Sequence, residues 1–441
     1  MPRRDIPDDV RSKSTHSPHG SPAGGRITIV SASVGAGHDG AADALALRLE
    51  AAGFEVDRHD FLDLLPFRLG RGLSEAYHRL LTSAPSGYQR IYAATERSGS
   101  PGPAIRALLR SAERRTLRTI RPQTRAVVST YPLAGQVLGA LRRGGRLAVP
   151  AFTYLTDFSV HPLWVAPGID AHLAAHPVPA AQAAALGAAG VRVTGPVTGP
   201  RFTAADEAER RVARDRFGLP HDAALALLVA GSWGVGPVRQ SAAEIRDSAA
   251  AEPVVVCGRN AALAEQLRAD GFRYVHEWVG DMPLLMRACD VLVQNAGGLT
   301  SLEAFASGLP VASYRCIPGH GQTNAAALDE AGLAAWIQQP EALTSVLSDL
   351  VKGPLGERQR AAGLALFATA PGPADVIADA ALPRANPTVK PQLAWHRGKL
   401  AASALTVTLS LGIGAPLAHA YENDRGRLPH LAHSFFERCE M

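Results

Sequence analysis

The sequence predicts an α/β protein made of two doubly wound, Rossmann-like halves that face a cleft. Three observations predict it. A β-branched strand, a glycine turn and a helix open at residue 26, the same order restarts after residue 200, and short apolar runs of strand length recur through both halves. The 441 residues are enough for two or three domains with their own cores, and a 46% hydrophobic content excludes a mainly disordered chain.

Met1 to Gly25 is polar and rich in Pro, Ser and His, with no apolar run, so it reads as a disordered lead-in and not as a signal peptide. Arg26-Ile-Thr-Ile-Val-Ser-Ala-Ser33 reads as a buried strand, followed by a glycine turn, a helix from Ala41 to Ala52 closed by Gly53, and a strand at Phe54-Glu-Val-Asp57. Strand, helix and strand at this spacing make a parallel βαβ unit. Further strands are expected at Ala126–Ser129, Ala151–Tyr154, Ala171–Ala174 and Val191–Val193. After Gly195-Pro-Val-Thr-Gly-Pro200 the second half opens with a strand at Ala224–Ala230 and the glycine turn Gly231-Ser-Trp-Gly-Val-Gly236. Strands at Pro253–Cys257, Tyr274–His276, Val291–Gln294 and Pro310–Ser313 and a helix over Ala261–Asp270 complete the pattern. The expected division is a lead-in over 1–25, a first domain over 26–197, a second over 198–383, and a basic linker and tail over 384–441.

Two segments break the alternation. Residues 66–121 hold eleven Arg against three Glu, with Phe67, Tyr77, Tyr88 and Tyr92 interleaved. Such a stretch suits an anionic membrane surface, and equally a pair of solvated helices with Arg on the outer face. Leu400 to Ala420 contains no Asp, Glu, Lys or Arg, and as a helix it would span roughly 31 Å. Basic residues before it and acidic ones after it would keep the main body on the cytoplasmic side. Its Ser, Thr and Pro content also fits a packed C-terminal helix. The formal charge of +5 is too small to argue for nucleic acid, and only four of the 45 basic residues are Lys. Cys257, Cys289, Cys316 and Cys439 are widely spaced, which excludes a disulfide scaffold or zinc ribbon and fits a reducing cytosol.

Gly35-Ala-Gly-His-Asp-Gly40 fits the G-x-G-x-x-G dinucleotide fingerprint, with Asp57 at the end of the next strand. The same loop carries His38 where the helix begins, and an imidazole there suits a general base near neutral pH. A loop-positioning histidine is the plainer alternative. In the second half, Gly231 to Gly236 offers free backbone N–H groups at a helix start, the arrangement that receives a diphosphate. Asn295-Ala-Gly-Gly-Leu-Thr-Ser-Leu-Glu-Ala304 follows a strand directly; Thr300 and Ser301 can cap a helix, and Glu303 offers acceptors for a ribose diol or closes a capping box. Pro318-Gly-His-Gly-Gln-Thr-Asn324 adds groups apt for sugar hydroxyls. These loops in this order describe a nucleotide-sugar site, and an NAD reading of the first loop would leave the second set without a purpose.

Ser33-Val-Gly-Ala-Gly-His38, Thr156-Asp157, His161-Pro-Leu-Trp164, Gly195-Pro-Val197, Cys257-Gly-Arg-Asn260, Asn295–Ala304 and Pro318–Asn324 together resemble the monogalactosyldiacylglycerol synthase family over about residues 26–370. That family is related to the bacterial N-acetylglucosaminyltransferase that makes lipid II. The resemblance implies a two-domain GT-B fold, inverting transfer of a hexose from a UDP-sugar, a lipid acceptor such as diacylglycerol, and no metal or cofactor besides the donor substrate. No D-x-D pair occurs in the sequence. By position, the resemblance makes His38 the base, with Asp157 to orient or polarise it, and puts Gly35, Gly37, Thr156, His161 and Trp164 on the acceptor side. On the donor side it puts Ser232 at the diphosphate, Val279 at uracil, Gly298, Leu299 and Thr300 along the nucleotide, Glu303 at ribose, and His320 and Gln322 at the sugar. Arg201 and Arg259 are candidates to hold the leaving-group charge. The sequence departs from the family at Ser33-Val34-Gly35-Ala36, which has fewer glycines, and at His320-Gly321, where the family has a Gln-Glu-type pair. The second departure leaves the donor sugar open. The expected partners are a UDP-sugar, a lipid acceptor and an anionic membrane surface, with no nucleic acid, at the cytoplasmic face of the cell membrane, peripherally or through one C-terminal helix. A UDP-sugar 2-epimerase of the same fold and a non-catalytic UDP-sugar or lipid binder are the alternatives, and the oligomeric state is open.

Overall fold

The computed structural model describes residues 25–99, 101–369 and 371–382. The expected lead-in up to residue 24 and the apolar segment Leu400 to Ala420 lie outside the described residues.

Six strands, β1 (Arg26–Ser31), β2 (Glu55–Asp60), β3 (Thr124–Ser129), β4 (Ala151–Tyr154), β5 (Ala171–Ala174) and β6 (Arg192–Val193), pair in parallel in the order β2-β1-β3-β4-β5-β6. Between them run α1 (Ala36–Ala51), α2 (Phe61–Leu64), α3 (Leu69–Ser83), α4 (Pro85–Ser98), α5 (Pro103–Thr119), α6 (Pro132–Arg143) and α7 (Pro177–Ala185). β1 is apolar on both faces because helices cover both. Ile27 and Ile29 pack with Leu45 and Leu49 of α1, while Val30 faces Leu62, Leu138 and Leu141 on the other side.

The second sheet is also all parallel. Its strands are β7 (Leu225–Val229), β8 (Glu252–Val256), β9 (Tyr274–His276), β10 (Val291–Gln294), β11 (Val311–Tyr314) and β12 (Ala335–Ile337), in the order β12-β11-β10-β7-β8-β9. Its helices are α8 (Glu207–Phe217), α9 (Val238–Asp247), α10 (Ala261–Ala269), α11 (Met282–Ala288), α12 (Leu299–Ala306), α13 (His320–Glu330), α14 (Leu343–Lys352) and α15 (Pro354–Leu366). A final helix, α16 (Pro373–Ala381), falls inside the expected second domain but packs Val376 and Ile377 into the first-domain core beside α1.

β4, β5, β9 and β10 have the expected bounds. Helix α1 starts at Ala36, earlier than expected, because Gly37 and Gly40, which read as loop residues, lie within it. β12 was not anticipated: Ala-Trp-Ile at a sheet edge is too short to show a period. Residues 66–121 form mainly the helices α3, α4 and α5. Tyr77, Tyr88 and Tyr92 do not face a membrane from this segment. They pack against Val235, Trp233 and Ile317 of the second domain, and of the four interleaved aromatics Phe67 alone is fully exposed, at 90%. No helix among the described residues is long and apolar enough to cross a membrane.

Candidate active site

In an open parallel sheet, ligands bind beyond the carboxyl ends of strands where the strand order reverses. The first sheet reverses between β1 and β3, the second between β7 and β10. Gly35, Gly37 and His38 follow β1 at the first point, and Ser232 and Gly298–Glu303 follow β7 and β10 at the second, whereas Thr156–Trp164 follow β4, Val279 follows β9, and His320 and Gln322 follow β11.

At the first point, Gly35 takes φ +155 and His38 lies in the first turn of α1. The His38 Nδ1 is 2.8 Å from the carbonyl of Thr130, in the loop after β3, and the Thr130 hydroxyl donates back to the His38 carbonyl at 3.0 Å. A carbonyl only accepts, so Nδ1 carries the proton and Nε2 keeps the lone pair. Thr156 Oγ1 lies 2.9 Å from the same Nδ1, and the rings of Tyr131 and Trp164 flank the imidazole at 5.2 and 5.9 Å. Burial holds His38 below the usual histidine range, against the charges of Asp157 and Asp39, which pull it up. The ring is therefore neutral near pH 7 and basic at Nε2. Asp157 accepts from the Trp164 indole N–H at 3.0 Å. Trp164, expected on the acceptor side, is 1% exposed. His161 is also buried: its Nδ1 accepts from the Leu163 N–H at 3.2 Å, and its Nε2 lies 3.1 Å from the Thr95 hydroxyl of α4.

At the second point, the Gly231–Gly236 loop and the loop after β10 are tied by Asn295, whose amide donates to the Val235 carbonyl at 2.8 Å. Gly236, at φ +106, leaves room for that amide: a Cβ there would come within 2.5 Å of it. Gly298 precedes α12 without a side-chain cap, and of the first-turn N–H groups that of Ser301 donates to the Gly298 carbonyl at 3.0 Å, which leaves those of Leu299 and Thr300 for a ligand. Glu303, one turn into α12, is pushed by burial up to about 8. The side chains of Ser232, Thr300, Glu303 and Gln322 form no hydrogen bond or ion pair among the described residues. Val279 packs at the edge of the second-domain core. Two expected charge carriers have other partners: Arg201 pairs with Asp281 at 2.8 Å, and the Arg259 guanidinium lies 4.7 Å from the centre of the Trp278 ring. Among the described residues no group of three His, Cys, Asp or Glu side chains is placed to hold a metal ion.

The two points meet. Leu299, at the start of α12, lies over α1 close to Gly37 and Gly40, where a larger residue at 40 would displace it. His320 of α13 is close enough to Asp157 and His38 for the charge of Asp157 to raise it and that of His38 to lower it, with burial the dominant, lowering influence. Asn324, fully buried, accepts from the Ser159 N–H at 2.7 Å and from its hydroxyl at 3.0 Å, and donates to the Ala296 carbonyl at 2.9 Å. Sequence reasoning missed Thr130, Ser159, Tyr88 and Tyr92. The one available signal was the spacing of Tyr88, Tyr92 and Thr95, which share a face of α4.

Residues 38–197 match the family described as monogalactosyldiacylglycerol (MGDG) synthase. The resemblance read from the motifs is borne out. Among curated proteins, the chain is 28% identical over 235 residues to the processive diacylglycerol beta-glucosyltransferases of Bacillus pumilus (strain SAFR-032) and Bacillus subtilis (strain 168), covering 51% of this chain and 60% of each relative. The chain thus spans about 60% of the length of the curated relatives it matches. Among solved structures, the glycotransferase of kitacinnamycin superposes with a TM-score of 0.52 at 17% identity, covering 82% of this chain and 100% of that one. TcCGT1, solved in complex with UDP, gives 0.51 at 11% identity, covering 82% and 98%. The fold is GT-B, as the MGDG synthase resemblance implied.

Proposed function

We propose that this chain is an inverting glycosyltransferase that moves a hexose from a UDP-sugar to a lipid hydroxyl, with diacylglycerol as the acceptor class. The observation that carries the reading is His38: a neutral imidazole, locked through Nδ1, with a free Nε2 lone pair at the junction of the two switch points. In this reading Nε2 takes the acceptor's proton as its oxygen attacks C1 of the sugar, and a single displacement inverts that carbon. Asp157, raising His38, stabilises the imidazolium that forms. The departing UDP meets the N–H groups of the Gly231–Gly236 loop and the start of α12, each such donor contributing a few kcal/mol at the transition state. The relatives named for diacylglycerol transfer, and a GT-B neighbour solved with UDP, support the acceptor and donor classes.

Peripheral membrane attachment belongs to the same proposal. Arg106, Arg110, Arg114 and Arg118 recur every fourth residue along α5 and are all exposed, and Phe67 stands out ahead of α3 with φ +51. An exposed cationic stripe and an exposed aromatic each suit an anionic bilayer, the stripe at about 1 kcal/mol per basic residue near the surface.

The test is UDP release from UDP-glucose, UDP-galactose and UDP-N-acetylglucosamine, each with and without vesicles of phosphatidylglycerol and diacylglycerol, for wild type and His38→Ala. Lipid-dependent release is expected, falling roughly 100-fold or more in the variant. UDP binding without release under any pairing would overturn the transferase reading. Pelleting with the vesicles is expected to weaken in an Arg110→Glu/Arg114→Glu variant, and a wild-type protein that ignores them would remove the docking surface.

A further inference from the structure

We propose that Tyr88 is a positioning residue for the donor sugar: from α4 of the first domain its hydroxyl reaches across to fix the imidazole of His320 on the second. The inference rests on the reading in which His320 meets the transferred sugar, and it names the group that orients it. Three observations carry it. The Tyr88 Oη lies 2.8 Å from His320 Nδ1, with the two rings edge to face at 5.8 Å. Gly319, just before His320, takes φ +70, and a Cβ there would come within 2.9 Å of Tyr92 and 3.1 Å of Tyr88, so both rings lie directly on the loop. Tyr92 adds a parallel bridge, 3.3 Å from the Thr323 hydroxyl, which in turn is 2.8 Å from that of Ser159.

The direction of the bond follows from acid–base strength. A phenol is a stronger donor than an imidazole N–H, and an imidazole nitrogen a stronger acceptor than a phenol oxygen. Burial keeps the Tyr88 phenol protonated and His320 neutral. In this proposal the one Tyr88 proton goes to Nδ1 and not to the neighbouring Tyr77, so the His320 proton resides on Nε2 and the ring presents a donor to a sugar oxygen. Because the orienting group belongs to the other domain, His320 is set correctly only while the domains are together.

The experiment compares full-length wild type, Tyr88→Phe, Tyr92→Phe and His320→Ala. Calorimetric titration without lipid measures the affinity for UDP and for whichever of UDP-glucose, UDP-galactose and UDP-N-acetylglucosamine binds wild type most tightly. Tyr88→Phe keeps the ring and is expected to bind UDP within about twofold of wild type. It should lose roughly five- to tenfold for the UDP-sugar, the scale of one lost buried hydrogen bond. Tyr92→Phe removes the bridge to Thr323 but leaves the bond to His320, so its UDP-sugar loss should be clearly smaller than that of Tyr88→Phe, and nitrogen-15 histidine spectra should show His320 as the Nε2–H tautomer in wild type and a mixture in Tyr88→Phe. Undiminished UDP-sugar affinity and an unchanged tautomer in Tyr88→Phe, with a sugar-specific loss in His320→Ala, would overturn the proposal and leave His320 as a sugar contact. No sugar-specific loss in His320→Ala would remove that underlying reading too. Equal loss for UDP and UDP-sugar in Tyr88→Phe, or the same loss in Tyr92→Phe, would reduce Tyr88 to general packing.

Discussion

The two switch points are built alike and left in opposite states. At the first, the functional groups are already bonded to their own domain: His38 to Thr130 and Thr156, and Asp157 to Trp164. At the second, Ser232, Thr300, Glu303 and Gln322 make no polar contact among the described residues, and Glu303 is driven to hold a proton. A base must be aimed before the substrate arrives, whereas groups that recognise a nucleotide take their partners from it. In the proposed reading preorganisation is spent on the base and on His320, which Tyr88 holds, while these four side chains stay unsatisfied until they are occupied. The sheets mirror this division. The second keeps a third strand, β9, outside β8; the first uses residues 61–119 for helices instead, and those helices supply the tyrosines that cross to the second domain.

The contrast can be broken first at the seam. Asn324→Ala leaves the buried Ser159 N–H and Ala296 carbonyl without partners, and at about 1–3 kcal/mol each the expected loss is about 3 kcal/mol in urea unfolding. An unchanged urea midpoint would mean that the Asn324 bonds add nothing to the stability of the seam. Asp157→Asn probes the preorganised side. Removing the charge that raises His38 should shift the acid limb of kcat/KM to lower pH and reduce kcat roughly tenfold or more. An acid limb that stays in place would separate Asp157 from the base. Glu303→Gln probes the waiting side, with the smallest effect, roughly fivefold in UDP affinity. Ribose hydroxyls donate best to the ionised carboxylate, so wild-type affinity should rise with pH and level off above about 8, whereas the Gln variant stays flat. Between pH 4.5 and about 8 the folded protein keeps a proton that the unfolded chain has released, so this group's contribution to stability declines as pH rises through that window. In Glu303→Gln that part of the decline should vanish from thermal melts across pH 5 to 8; an identical slope would place the carboxyl in water.

Much of the architecture was legible because buried parallel strands write themselves as apolar runs. Ala151–Tyr154 and Val291–Gln294 needed no tertiary information. His38 stood out for a related reason: a bulky polar residue among the glycines of a strand-to-helix turn has few structural excuses. What the sequence hid were contacts made across long separations. Nothing near Tyr88 announces a histidine 232 positions later, and nothing near Ser159 announces Asn324, because such pairs are set by how two domains meet and not by local pattern. Residues 66–121 misled through composition. Arg and Tyr alternate along the chain, but helical geometry turns Tyr77, Tyr88 and Tyr92 inward and leaves Arg106, Arg110, Arg114 and Arg118 outside.

Helix α16 makes the second sheet an insertion within the first half of the fold. The chain leaves the first domain after β6 and returns to it beyond α15, and the two crossings touch where Gly195, at φ +70, faces the Leu366 carbonyl and Thr369. For a nascent chain this fixes an order of events. The second sheet can assemble as soon as it emerges, but the face of α1 that receives Val376 and Ile377 stays uncovered until synthesis has passed Ala381. The half that begins the chain is the last to be finished.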